Sequence, residues 1–139
     1  MKIAEVMTRD VTSIEPDADL QRAAQLMRDK DIGVLPVCEG KQLLGIITDR
    51  DITIRATARG VLPAAGRVSE VMSQGASWCF EDQSVGAVLQ QMGDQQIRRM
   101  PVVTQKMQLV GMVSLGDLAI RQDSPVEGTL EDVSKPAPE

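Results

Sequence analysis

The segment that begins at Val6 and the segment that begins at Val71 repeat one another at an offset of 65 residues, and no other feature restricts the folding of this chain so sharply. Identical pairs at that offset are Val6/Val71, Met7/Met72, Asp17/Asp82, Gln25/Gln90, Met27/Met92, Asp29/Asp94, Ile32/Ile97, Pro36/Pro101 and Val37/Val102. One extra residue enters the second copy in the turn that follows. The matches then resume at offset 66 with Gln42/Gln108, Leu43/Leu109, Gly45/Gly111, Asp51/Asp117, Ile54/Ile120 and Arg55/Arg121. A copy of about 60 residues buries too little surface to stand alone. The two are therefore expected to pack sheet against sheet about a pseudo-two-fold axis.

Both copies carry the same element pattern. Leu20, Ala23, Ala24 and Met27 fall at helical spacing, which predicts an amphipathic helix capped by Asp17 just after Pro16. Val85, Val88, Leu89 and Met92 repeat the stripe after Asp82. Apolar runs at Ile32 to Cys38 and Leu43 to Ile47 flank the polar turn Glu39 to Gln42, predicting two strands. Their counterparts are Met100 to Val103 and Leu109 to Val113, around the turn Thr104 to Gln108. A short first strand is expected at Val11 to Ile14 and again at Ala76 to Cys79. A second helix should begin near Asp49 and near Leu115. Pro36 and Pro101 cannot donate to a ladder, which predicts a strand start or an edge for each. The expected fold is α+β, built from α/β-type repeats of strand, helix, strand, strand, helix over residues 1–60 and 61–122. Arg59 to Arg67 is the connection. Residues 123–139, with five acids against one base and three prolines, read as an acidic disordered tail.

Composition narrows the chemistry. With 42% hydrophobic and 25% charged residues the chain is an ordinary globular one. It has no histidine, which removes the usual general base, the Ser-His and Cys-His nucleophile pairs, and imidazole metal sites. Most of the net charge of -5 sits in the tail, so the body offers no broad field for nucleic acid or an anionic membrane. A single Trp and a single Phe do not supply a base-stacking platform. Cys38 and Cys79 are expected as buried core thiols, and Met27, Met92, Met100 and Met112 as core fillers. No carboxylate cage for magnesium and no Walker A or GxGxxG turn is visible. No apolar stretch approaches the ~20 residues of a membrane span, and no signal-peptide pattern opens the chain, so a cytoplasmic location is expected.

The most informative local pattern is Gly45-Ile46-Ile47-Thr48-Asp49-Arg50-Asp51, matched by Gly111-Met112-Val113-Ser114-Leu115-Gly116-Asp117. Each is a strand, then a hydroxyl, then a carboxylate three residues on. Such a pair can cap a helix, tying up free N–H groups. It can equally place a hydroxyl and backbone N–H groups against phosphate while the carboxylate accepts from vicinal ribose hydroxyls. Both readings stand at this level.

Taken in order, these residues resemble a tandem pair of CBS domains, the Bateman module, over residues 1 to 122, with a small stand-alone CBS-domain protein as the closest likeness. The signatures are Val6-Met7-Thr8 and Val71-Met72-Ser73, then Leu35-Pro36-Val37 and Met100-Pro101-Val102, then the Gly-x-x-Thr/Ser-x-x-Asp motif in both copies. The resemblance implies a non-catalytic sensor of AMP, ADP or ATP, with S-adenosylmethionine a further candidate, bound in clefts between the repeats. It implies no prosthetic group, no metal and no catalytic residue, a homodimer, and a regulated protein that the sequence does not identify. One implied site joins Val11, Thr12, Ile32 and Gly33 with Arg99, Ser114 and Asp117. The other joins Thr48 and Asp51 with Ala76, Ser77, Ile97 and Arg98. Asp117 and Asp51 would hold ribose, and Ser114 and Thr48 phosphate. Strand alternation would send Arg98 and Arg99 to opposite sides, one guanidinium to each cleft. The first copy has Gly33-Val34 there, so the Ser114/Asp117 site is expected to be the stronger. Asp49 and Arg50 could pair locally, or Arg50 could reach phosphate. The alternative function is a dimerisation or protein-interaction module whose clefts stay empty and whose helix starts are caps only. An enzyme acting through Cys38 or Cys79 would lack an activating base.

Overall fold

In the computed structural model, which describes residues 1–74 and 77–121, the chain forms two compact units. One comprises residues 12–74. The other comprises residues 1–11 and 77–121. The fold is α+β. The expected calls at Ala76 and in the tail lie outside the described residues, and among those described no helix is long and apolar enough to cross a membrane.

The unit of residues 12–74 contains α1 (Leu20–Lys30), β1 (Val34–Glu39), β2 (Gln42–Thr48), α2 (Asp49–Asp51) and α3 (Val68–Val71). After α2 the chain winds on as a π-helical turn (Ile52–Ala56) and a 3-10 turn (Thr57–Arg59). Asp19 caps α1 by accepting from the Arg22 N–H at 2.7 Å, and this corrects the expected cap at Asp17. The side chain must sit immediately before the first helical residue to reach the third N–H, and Asp17 is two residues too early. Leu20, Ala23 and Met27 are buried as the stripe predicts, whereas Ala24 is exposed. The turn between β1 and β2 is tight, with Gly40 at φ 60°, a conformation that glycine adopts without steric cost.

The other unit contains β3 (Cys79–Phe80), α4 (Val85–Gln95), β4 (Arg99–Val103), β5 (Leu109–Ser114) and α5 (Leu115–Arg121), preceded by a 3-10 turn at Ile3–Glu5. Ser84 caps α4 through the Ala87 N–H, and the whole stripe Val85, Val88, Leu89 and Met92 is buried. The β4–β5 turn is longer than its counterpart. There the Thr104 hydroxyl accepts from the N–H groups of Lys106 and Gln108, and Met107 takes a positive φ of 64°.

β1 and β2 are antiparallel, as are β4 and β5, and both pairs carry an irregularity at the same place, after Val37 and after Val102. The short first strands are reduced from what the sequence predicts. Cys79–Phe80 runs parallel to β4, and the Val11 to Ile14 segment contributes a single parallel bridge from Ile14 to Val37. Pro36 lies in β1, an edge strand of the two-stranded β1–β2 sheet as expected, whereas Pro101 lies inside β4, the central strand of the β3–β4–β5 sheet. The reason is in the register. Pro36 faces Ile46, whose N–H and C=O are both engaged with Ser73, and Pro101 faces Met112, whose N–H and C=O are both engaged with Thr8. Each proline thus occupies a non-hydrogen-bonded pair, where the ladder asks for no donor. On its other side Pro36 is needed only as an acceptor, from the Ile14 N–H at 3.0 Å.

The two glycines that open the motif follow from the same contacts. A Cβ on Gly45 would fall on the Ser73 carbonyl oxygen, and one on Gly111 would lie 2.6 Å from the Met7 sulfur and 2.8 Å from the Thr8 carbonyl oxygen. Only glycine lets the entry segment pass this closely.

Each unit completes its core with the entry segment of the other sequence copy. Ile3 and Met7 pack with Val85, Leu89, Met100, Val113 and Leu118, while Val68 and Val71 pack with Leu20, Leu35, Ile47 and Ala56. The backbone bonds come in matching pairs. Val85 donates to Met1 as Leu20 donates to Gly66; Ile3 donates to Gln83 as Val68 donates to Ala18; Ala4 donates to Glu81 as Ser69 donates to Pro16. Ile3 and Val68 are fully buried, and each is worth about 2 kcal/mol in transfer free energy alone.

Candidate functional site

The two hydroxyl–acid pairs stand where a strand passes directly into a helix. Thr48 ends β2 in an extended conformation (φ -117°, ψ 163°) and becomes the cap of α2. Its Oγ1 accepts from the Asp51 N–H at 3.0 Å, and its own N–H donates to Asp51 Oδ2 at 3.0 Å. The capping box is closed in both directions. The second oxygen, Oδ1, lies 3.8 Å from Arg55 Nε, and only 13% of the Asp51 side chain is exposed. The helix start is tied to the start of β1 by the Asp49 N–H, which donates to the Gly33 carbonyl at 3.0 Å. Asp49 Oδ1 in turn accepts from the Arg50 N–H at 2.8 Å, and among the described residues these two side chains form no ion pair.

The equivalent place in the other unit is built on the same backbone with different side-chain bonding. Ser114 ends β5, and its hydroxyl accepts from the Asp117 N–H at 3.1 Å. Among the described residues the return bond from the Ser114 N–H to the Asp117 carboxylate is not made, and Asp117 is exposed. The Leu115 N–H donates to the Arg98 carbonyl at 2.7 Å, as Asp49 does to Gly33. Arg99 lies directly across the strand pair from Ser114, and both Arg98 and Arg99 are exposed.

The remaining expected site residues take the following places. Thr12 and Ile32 are half-buried and Gly33 is exposed in the unit that holds Thr48 and Asp51. Val11, Ser77 and Ile97 are half-buried in the unit that holds Arg98, Arg99, Ser114 and Asp117. Ile32 and Ile97 each close the preceding helix, donating to Met27 and Met92 at 3.0 Å. Within single units the structure thus brings Thr48 to Asp51, Arg99 across from Ser114, and Ser114 to Asp117. Sequence reasoning missed the Arg55 partner of Asp51, although the Arg55/Arg121 match at offset 66 carried the signal.

Both thiols are buried and free. Burial, and then the Glu15 carboxylate, pushes Cys38 up to about 11, and burial alone pushes Cys79 up to about 12. Neither forms appreciable thiolate near neutral pH, which is the form a nucleophile or metal ligand needs. Among the described residues no three His, Cys, Asp or Glu side chains come together to hold a metal ion.

Comparison with known proteins adds the following. The CBS domain family model matches residues 3–56 and 68–123. The CBS domain-containing protein YhcV of Bacillus subtilis is 42% identical over 122 residues, covering 88% of this chain and 86% of that protein. Hypoxic response protein 1 of Mycobacterium tuberculosis is 35% identical over 116 residues, covering 83% of this chain and 80% of that protein. A crystal structure of Hypoxic Response Protein I, with two coordinated zinc ions, superposes with a TM-score of 0.79 at 33% identity, covering 88% of this chain and 99% of that one. The donor set of this chain, without histidine and without a three-ligand cluster among the described residues, does not fit such an ion. The CBS domain pair of protein MJ0100, solved in complex with 5′-methylthioadenosine and S-adenosyl-L-methionine, shares the fold with a TM-score of 0.74 at 24% identity, covering 87% of this chain and 94% of that one.

Proposed function

The chain belongs to the CBS-domain family, and on that premise we propose that it is a non-catalytic regulatory protein that binds adenosine-containing ligands, AMP, ADP or ATP, with S-adenosylmethionine in the same class. The observation that carries this reading is the hydroxyl–acid pair at Ser114 and Asp117, whose carboxylate faces solvent with Arg99 across the strand pair. A carboxylate left open in this way can accept from two vicinal ribose hydroxyls, and an exposed guanidinium can meet a phosphate. Thr48 and Asp51 form the matching pair in the unit of residues 12–74. Leu35, Val37 and Val102 are fully buried, so the apolar surface left near the motifs comes from the half-buried Ile32 and Val34 in one unit and Ile97 in the other. The fold shared with the MJ0100 domain pair is compatible with such ligands.

A binding protein of this kind acts by preferring one of two arrangements, so the ligand must have different affinities for them. The protein it regulates is set by surface chemistry outside the motif. We place the chain in the cytoplasm, where its two free thiols stay reduced.

Thermal denaturation with AMP, ADP, ATP, S-adenosylmethionine and inosine monophosphate as a control tests the assignment. A ligand at 100 times its dissociation constant stabilises by about 2.7 kcal/mol. Asp117→Ala should remove more of that shift than Asp51→Ala. Full retention of the shift in both variants overturns the ribose assignment.

A specific observation favours a second reading at Thr48. Its capping box is closed in both directions, as a purely structural helix start would be. On this reading the module serves association alone. Ile54 and Ile120, matched at offset 66, are 54% and 83% exposed, which supports a homodimer through these positions under either reading. Light scattering should find a dimer in the wild type and a monomer in the Ile54→Asp, Ile120→Asp double variant. A monomeric wild type overturns it.

A further inference from the structure

Matching backbone bonds and strand pairings surround the two hydroxyl–acid pairs, yet the charges beside them differ. The residue directly across the sheet from Thr48 is Val34, and from Ser114 it is Arg99. The carbonyl that receives the first helical N–H belongs to Gly33 in one unit and to Arg98 in the other. The first helical residue is Asp49 or Leu115, and the next is Arg50 or Gly116. At these positions one acid and one base flank Thr48, with Arg55 a further base already engaged by Asp51, whereas two bases and no acid flank Ser114. The Asp49 carboxylate also lies over Gly33, with Oδ2 3.1 Å from where a Cβ would stand, the point from which the Arg98 side chain departs in the other unit. Leu115, at the position of Asp49, is buried and presents no charge. Arg98 and Arg99 are exposed, and among the described residues neither joins an ion pair. Guanidinium groups without a carboxylate partner attract phosphate, and a carboxylate at the equivalent place repels it.

Resting on the adenosine reading above, we infer that the two pairs are matched to ligands of different charge. The Ser114/Asp117 pair takes a phosphate-bearing adenosine compound. The Thr48/Asp51 pair takes an adenosine compound without phosphate, neutral or cationic. Arg99 sets the first preference and Asp49 the second.

Isothermal titration of the full chain with AMP and with adenosine tests this. Wild type should bind one AMP per chain in preference to adenosine, with AMP affinity falling as salt rises. Arg99→Val should lower the ratio of AMP to adenosine affinity about tenfold, the size of one charge-assisted hydrogen bond. Val34→Arg and the isosteric Asp49→Asn should each raise the phosphate preference of the Thr48 set, so that a second AMP binds. An unchanged ratio in Arg99→Val, together with unchanged AMP stoichiometry in Val34→Arg and Asp49→Asn, overturns the inference and leaves the adenosine reading intact. Failure of both AMP and adenosine to bind the wild type overturns the adenosine reading and this inference with it. Asp49→Asn is an exposed, same-shape change, so it keeps the test decisive if either arginine variant folds poorly.

Discussion

Thr48 and Ser114 end equivalent strands, begin equivalent helices and precede an aspartate at the same spacing, yet their hydrogen bonding differs. At Thr48 the hydroxyl and the Asp51 carboxylate close a ring of two bonds, and Arg55 stands beside the remaining carboxylate oxygen. At Ser114 the hydroxyl bond forms while Asp117 turns to solvent. Capping and ligand holding compete for the same oxygen atoms. A carboxylate that satisfies its own backbone must give up that bond before it can accept from a sugar, whereas one already facing water gives up only hydration. On the reading proposed above, the same motif is capped more tightly in one copy and left more open to a ligand in the other.

The largest test of how alike the units are lies in their cores. Ile3→Ala should destabilise by about 3 kcal/mol and Val68→Ala by about 2, since both side chains are fully buried against the other copy's helices and strands. Urea denaturation reads both. Equal, near-zero effects would mean that the exchanged entry segments do not complete the cores. The motif glycines come next. Gly45→Ala drives a methyl onto a backbone carbonyl, for which about 2 kcal/mol is expected; Gly111→Ala meets the flexible Met7 side chain and, at 2.8 Å, the Thr8 carbonyl, a looser backbone approach that should cost about 1.5. The reverse order would break the difference drawn here between the closer and the looser backbone approach. The smallest effect sharpens the capping comparison. Thr48→Ala should lose about 1 kcal/mol and Ser114→Ala about 0.5, because one closes a two-way box and the other makes a single bond. Equal losses would show that the return bond from Asp51 contributes nothing.

Much of this was legible in the residues. The offset exposed the duplication, the helical stripes located α1 and α4, and the apolar runs located β1, β2, β4 and β5 to within a residue or two. Errors arose where a local rule was applied without its partner. Asp17 looked like a cap because the capping preference was read without fixing the first helical residue. Pro101 sits in a central strand, away from the expected start or edge, because the register that leaves its nitrogen unasked is set by Thr8, far along the chain. The two readings of Thr48 and Ser114 could not be separated from the motif alone, since the motif is the same in both.

The sequence by itself determined that there are two copies, what elements each holds, and which hydroxyl and acid begin each second helix. Only the tertiary structure decided which entry segment closes which core, and which acid remains open. In a duplicated chain every favourable pairing has a twin displaced by one repeat, with the same side-chain chemistry on both. Pattern alone is degenerate between the two, and the tie is broken by the backbone bonds and close contacts that form only once the strands, glycines and entry segments are brought together in space.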